Sequence, residues 1–276
     1  MSVRQLTIAV DWSARSAPSP KRPSPDAIWI AHNADHINHP PEYLRTRHDA
    51  TQRIIELLTA HSGPALVGFD FPLGYPLATD GSAVMPIGRA LCAHLASLID
   101  DQPDNRNNRF DVAEQLNAEI AECFDEPHGP FWGCPNNRDT SSGLLLPTKR
   151  VMKSVPEYRA VERHIRDTRK LGIQSAWKLY TTGSVGSQSL LGLPAIHRII
   201  SEPSLAERCW LWPFEAEPNR DDAITIAEIW PTLTPFDHVE HEIKDARQVV
   251  AVRDALDAWR MPRRPDSMSE GKIALV

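Results

Sequence analysis

Apolar residues along this chain fall into short runs separated by polar and proline-rich breaks. From Gln5 the chain alternates and then ends in the polar Asp11-Trp12-Ser13, the pattern of a buried strand delivering its last residues to a sheet edge. A Pro- and Ser-rich stretch from Ala17 to Pro25 separates it from Ala27 to Ala31, which reads as a hairpin partner strand. His39-Pro40-Pro41 breaks the chain before a helix from about Asp49 to His61, where Ile54, Ile55, Leu57 and Leu58 supply an apolar stripe. Ala65 to Asp70 is a second short apolar strand, and it too ends in an aspartate.

The middle of the chain is more polar and predicts helices at Ile87 to Ile99, Phe110 to Phe124 and Glu157 to Thr168, with a loop-like stretch from Gly129 to Ser154 between them. This region, about 85–173, reads as an inserted helical lobe. A Gly/Ser turn, Thr182 to Gln188, precedes a helix from about Ser189 to Ile200. Strands near Cys209 to Phe214 and Ala223 to Ile229 follow, and a helix from about Lys244 to Arg260 comes last. A hairpin, then alternating helices and strands, then a terminal helix predicts a single α/β domain over 1–276, with a mixed sheet flanked by helices.

The chain has 276 residues, 41% hydrophobic and 24% charged, ordinary globular values that indicate neither disorder nor a membrane protein. No apolar run approaches the roughly 18 residues that span a bilayer, and the N-terminus enters a strand pattern, so no membrane association is expected and the expected location is cytoplasmic. Cys92, Cys123, Cys134 and Cys209 form no C-x-x-C pair, against both a zinc cage and a disulfide framework. There is no H-E-x-x-H among the 11 histidines, and Ser13 lacks a G-x-S-x-G context, so zinc catalysis and serine hydrolysis are disfavoured. The net charge of -6 argues against a protein that coats nucleic acid non-specifically. It leaves room for an acidic site that works on phosphates.

Four carboxylates carry that chemistry. Ile224, Ile226 and Glu228 share one strand face by the period of two, so Glu228 needs a metal ion or a basic neighbour. Asp245 opens the stripe Asp245, Val249, Val252 and Leu256 on the last helix, which places it on the core-facing side at the first turn. Asp11 and Asp70 each end an apolar strand, where open α/β sheets bind ligands. Oxygen donors of this kind suit Mg2+ or Mn2+, with waters and substrate phosphates completing the shell.

The segments Val10-Asp11-Trp12-Ser13, Gly68-Phe69-Asp70-Phe71-Pro72-Leu73-Gly74, Glu228-Ile229-Trp230-Pro231-Thr232 and Lys244-Asp245-Ala246 resemble the predicted RNase H-like nuclease family. The resemblance implies an RNase H-like sheet and a divalent-metal site. It pairs a first-strand acid, a fourth-strand acid and a last-helix acid, here Asp11, Asp70 and Asp245, with Glu228 added from the E-x-x-P segment. Glu270-Gly271-Lys272-Ile273 resembles a weakened closing motif.

The expected activity is metal-dependent hydrolysis of phosphodiester bonds in a nucleic acid or nucleotide. The expected substrate-binding residues are Ser13, Arg138, Lys149, Arg150, Arg159, Ser187 and Gln188. The arginines suit phosphate recognition, and the Gly/Ser turn could offer N–H groups at a helix start. Trp132, Trp177, Trp210, Trp212 and Trp230 are core residues first and base-stacking platforms second. Two other classes fit less of the sequence: a phosphotransferase of actin-like fold, which would need that Gly/Ser turn as a phosphate loop, and a non-enzymatic binding protein on the same fold.

Overall fold

The computed structural model describes residues 5 to 258. Strand β1 (Leu6–Asp11) pairs antiparallel with β2 (Ile28–Ala34). The chain reverses at Asp35 and His36, whose φ values of 53° and 65° are those of a two-residue hairpin turn of the primed kind. Strand β3 (Ile37–Asn38) then runs back along β2. His39, Pro40 and Pro41 interrupt this edge, and β4 (Glu42–Leu44) resumes pairing with β2. Asn38 faces Asn33, whereas Glu42 faces Ile30, so the register slips by one residue across the break. Prolines cannot donate into a ladder, which is why they sit at an edge bulge here.

Helix α1 (Arg47–Ala60) is capped by Thr46, which accepts from the Asp49 N–H at 3.1 Å. It leads into β5 (Ala65–Phe69), parallel to β1. Helices α2 (Arg89–Leu98), α3 (Arg109–Cys123), α4 (Ala160–Arg169) and α5 (Val185–Ile200) follow. Strands β6 (Cys209–Leu211) and β7 (Ile224–Glu228), a 3-10 turn at Pro231–Leu233 and helix α6 (Lys244–Ala258) complete the described chain. The sheet order is β3-β2-β1-β5-β7-β6 with β4 also on β2, so β1, β5, β7 and β6 form a parallel block beside an antiparallel hairpin. This is an α/β fold with a mixed seven-stranded sheet flanked by six helices among the described residues.

Both faces of the sheet are covered. Leu6, Ile8 and Val10 of β1 point into the larger core with α1, α2, α3 and α5, while Ala9 points to a smaller core under α6. Leu91, Leu95, Val112 and Leu116 belong to the same cluster as the β1 side chains, and α2 lies along α5. Helices α2 and α3 of the expected lobe therefore share the core of the sheet. Val249, Val252 and Leu256 are buried as the α6 stripe requires. Strand β6 stops three residues short of the expected Phe214, because Glu215 folds back to accept the Leu211 N–H and Pro213 has no N–H to give. No described helix is long and apolar enough to cross a membrane.

Candidate functional site

Three strands end in register. Val10 of β1 pairs with Phe69 of β5, and Phe69 pairs with Glu228 of β7. Neighbouring strands lie about 4.8 Å apart, so Asp11, Asp70 and Glu228 leave the same sheet edge side by side. Helix α6 packs across β1 and β2 and brings Asp245 to that edge from the other face. Asp11, Asp70 and Asp245 are each only partly exposed.

Asp11 and Asp70 are hydrogen-bonded through their carboxyl groups. Burial raises Asp11 well above the usual carboxylate range, and the negative charges of Asp70, Asp245 and Asp26 push it further. Asp70 is pushed up to about 6, first by burial, although the bond from Asp11 and the Trp12 N–H act in the opposite direction. The two carboxyl groups titrate as a pair, both held above the usual carboxylate range by burial. Trp12 donates its N–H to Asp70 Oδ1 at 2.7 Å. Asp245 Oδ2 accepts the Asp26 N–H at 2.8 Å, and Ser13 Oγ donates to the Asp26 carbonyl at 2.8 Å. Asp26 has φ 56°, a left-handed conformation that these two contacts hold in place.

Glu228 stands apart from this cluster. Arg159 donates from Nη1 and Nη2 to its two oxygens at 2.7 and 2.6 Å, the Trp230 indole donates at 2.7 Å, and the Leu73 N–H donates at 3.2 Å. Nε of Arg159 reaches Glu162, which is buried, at 3.0 Å. Burial pulls against the charge of Arg159, but Glu228 and Glu162 outweigh it and hold the guanidinium firmly protonated. The partner that Glu228 requires is therefore a base. Among the described residues, no three His, Cys, Asp or Glu side chains are arranged to hold one metal ion. The expected four-acid convergence becomes a two-aspartate contact with Asp245 and Asp26 nearby, and Glu228 is turned toward Arg159.

The expected substrate-side residues are dispersed. Arg138 pairs with Asp111 and Glu114, each at 2.7 Å, Lys149 pairs with Glu157 at 2.9 Å, and Arg150 donates to the Leu144 carbonyl. Ser187 is fully buried, donating to the Leu179 carbonyl and accepting from Arg109 Nε. Gln188 Nε2 donates to the Trp12 carbonyl at 2.6 Å. Helix α5 starts at Val185, so part of the expected Gly/Ser turn is helical. Gly186 gives its N–H to the Lys178 carbonyl, and a side chain there would overlap the Ala176 carbonyl, so this glycine answers a packing need. Glu270 lies outside the described residues.

Beside the Arg159–Glu228 pair opens a cleft of about 790 Å³, lined by Leu73, Gly74, Tyr158, Trp212, Phe214 and Trp230 among others. It begins three residues after Asp70. Two participants escaped the sequence reading. Asp26 lay in a Pro/Ser stretch with no periodic signal, and the role of Arg159 as partner of Glu228 was hidden by a separation of 69 residues. Comparison with known proteins finds no family model that matches the chain, no matching curated protein and no matching solved structure.

Proposed function

We propose that the chain is a metal-dependent hydrolase of phosphodiester bonds, a nuclease of RNase H-like architecture, with Asp11 and Asp70 as the ligands of Mg2+ or Mn2+ and Asp245 beside them. The observation that carries this reading is the Asp11–Asp70 contact. Two carboxyl groups meet at the ends of parallel strands, and neither has a Lys or Arg ion-pair partner among the described residues. Like charges held this close need a proton or a cation between them. If β3 and β4 count as one interrupted strand, the acids come from the first strand, the fourth strand and the last helix, as the resemblance implies.

The donor set fits the ion. Mg2+ is commonly held by one or two protein carboxylates plus waters and substrate phosphates, and needs no full protein cage. When bound, the ion supplies Lewis-acid polarisation of the phosphate and lowers the pKa of an attacking water. The chain's own residues position the ligands. Trp12 and Asp26 fix one oxygen each of Asp70 and Asp245 through backbone N–H groups. Glu228 accepts the Leu73 N–H, so its pair with Arg159 braces the segment that follows Asp70. Hydrolysis is preferred to phosphotransfer because the Gly/Ser turn, the phosphate loop that phosphotransfer needs, is occupied by packing. Four free cysteines accord with action in the cytoplasm on nucleic acid or nucleotides.

The test is calorimetric titration of Mg2+ and Mn2+ into the wild type and Asp11→Asn, followed by cleavage assays on labelled single- and double-stranded DNA, RNA and hybrids. Binding and metal-dependent cleavage, both lost in Asp11→Asn, are expected. Cleavage that persists in chelator, or in the variant, would overturn the reading.

A further inference from the structure

We propose that the cleft beside Arg159 and Glu228 is a base-binding pocket that takes one unstacked nucleobase of the substrate while its phosphate lies at the aspartates. This rests on the phosphodiesterase reading of Asp11 and Asp70.

Position comes first. Leu73 and Gly74 line the cleft and follow Asp70 by three and four residues, and Glu228 lines it one strand away from β5. The end of the cleft at Leu73 and Glu228 is therefore within one or two strand spacings of the aspartates, about 5–10 Å. That is the scale of a single nucleotide.

The walls and the polar groups agree on the occupant. Phe214, Tyr158 and Trp230 give aromatic surface on which a base can stack. The available polar groups are donors. A guanidinium has five N–H groups. The contacts of Arg159 with Glu228 and Glu162 use four, leaving one on Nη1 for a ligand among the described residues. Arg163, exposed on α4 and also lining the cleft, has no ion-pair partner among the described residues and donates to the Tyr158 carbonyl. The carboxylates do not compete, since both oxygens of Glu228 are taken. A donor-rich, aromatic cleft selects a flat apolar ring that carries acceptors and is joined to an anion. Within a phosphodiester substrate that description is a nucleobase with its phosphate. Paired bases inside a duplex cannot enter, so the pocket favours single strands or splayed nucleotides.

The experiment is calorimetry of the full chain in EDTA with the four common ribonucleoside monophosphates and with ribose 5-phosphate. At least one nucleotide should bind saturably and at least tenfold more tightly than ribose 5-phosphate. Val161→Phe and, separately, Val84→Phe, each enlarging a lining side chain, should each weaken it at least tenfold, with unchanged melting temperature as the fold control. Equal binding of ribose 5-phosphate, unaltered binding in both folded variants, or no nucleotide binding would each overturn the pocket. The two readings separate cleanly. Cleavage lost in Asp11→Asn without base binding removes the pocket alone. Base binding with no cleavage of any substrate supports the pocket and removes the hydrolase.

Discussion

The N–H of Trp12 donates to Asp70 at 2.7 Å while its carbonyl accepts from Gln188 at 2.6 Å, so one residue ties two candidate ligand strands to helix α5. Trp12 directly follows Asp11, so a shift of its peptide moves both acids. Its side chain is buried against Phe69 and Phe71, which fixes that peptide from below. Second contacts of this kind set ligand geometry as firmly as the ligands themselves.

Gln188→Met, close in volume but without the amide, releases the Trp12 carbonyl. Divalent-ion affinity should fall about 10–100-fold, as for lost outer-shell contacts. Calorimetric titration of Mn2+ checks it, and an affinity equal to wild type would show that the contact is only structural.

The Asp11–Asp70 pair gives the metal-free protein a pH signature. Asp70 titrates at about 6 in the folded state, against 3.8 for an unperturbed aspartate. The folded state therefore holds the extra proton, so the contribution of Asp70 is fully present below about 3.8 and is lost as pH rises through about 6. The Asp70 share of the melting temperature in EDTA should decline over this interval for the wild type, against carboxylates such as Glu42 and Glu114 whose lowered values act in the opposite direction. In Asp70→Asn, whose amide oxygen still accepts from Trp12, the decline should be shallower, and above pH 7 the variant should melt several degrees higher. A steeper decline in the variant would contradict the proton-sharing pair.

Divalent ions should reverse that loss. Mn2+ at a hundred times its dissociation constant adds about 2.7 kcal/mol to a folded state that alone binds it, which is several degrees in a chain of this size. Asp11→Asn should remove this thermal shift and lower cleavage roughly a thousandfold, the scale of losing a preorganised charge contact at a reacting centre.

Arg159→Met leaves Glu228 and buried Glu162 facing each other without their shared cation. The expected loss is about 3–5 kcal/mol, the range for removing one partner of a buried pair. Denaturant unfolding measures it. Because burial already raises Glu162, acidification should protonate it and recover part of the loss.

Arg47→Met tests the support beneath the site. Arg47 is 2% exposed and reaches Asp101 through two bonds of 2.7 and 2.6 Å. It also donates to the carbonyls of Ser13, Arg15 and Asn105, which holds the turn after β1 against α1. A loss of about 3–5 kcal/mol is expected by the same reasoning, read as a lower denaturation midpoint at unchanged slope.

Local patterns were legible in the chain itself. Apolar runs ending in Asp11 and Asp70, the alternation that puts Glu228 in line with Ile224 and Ile226, and the stripe that starts at Asp245 all follow from strand and helix periods, which are properties of neighbours in sequence. So the mixed α/β sheet and the acid-bearing ends of β1, β5 and β7 were determined early. Pairing across long separations was decided only by packing. Arg159 looked like a substrate-facing cation until α4 brought it to Glu228, and Ser187 looked accessible until α5 began earlier and buried it. Asp26 acquired its place from Ser13 and Asp245 on either side of a left-handed residue. A charge buried in the interior takes whichever partner the surrounding elements deliver, and the order of residues along the chain does not record that delivery.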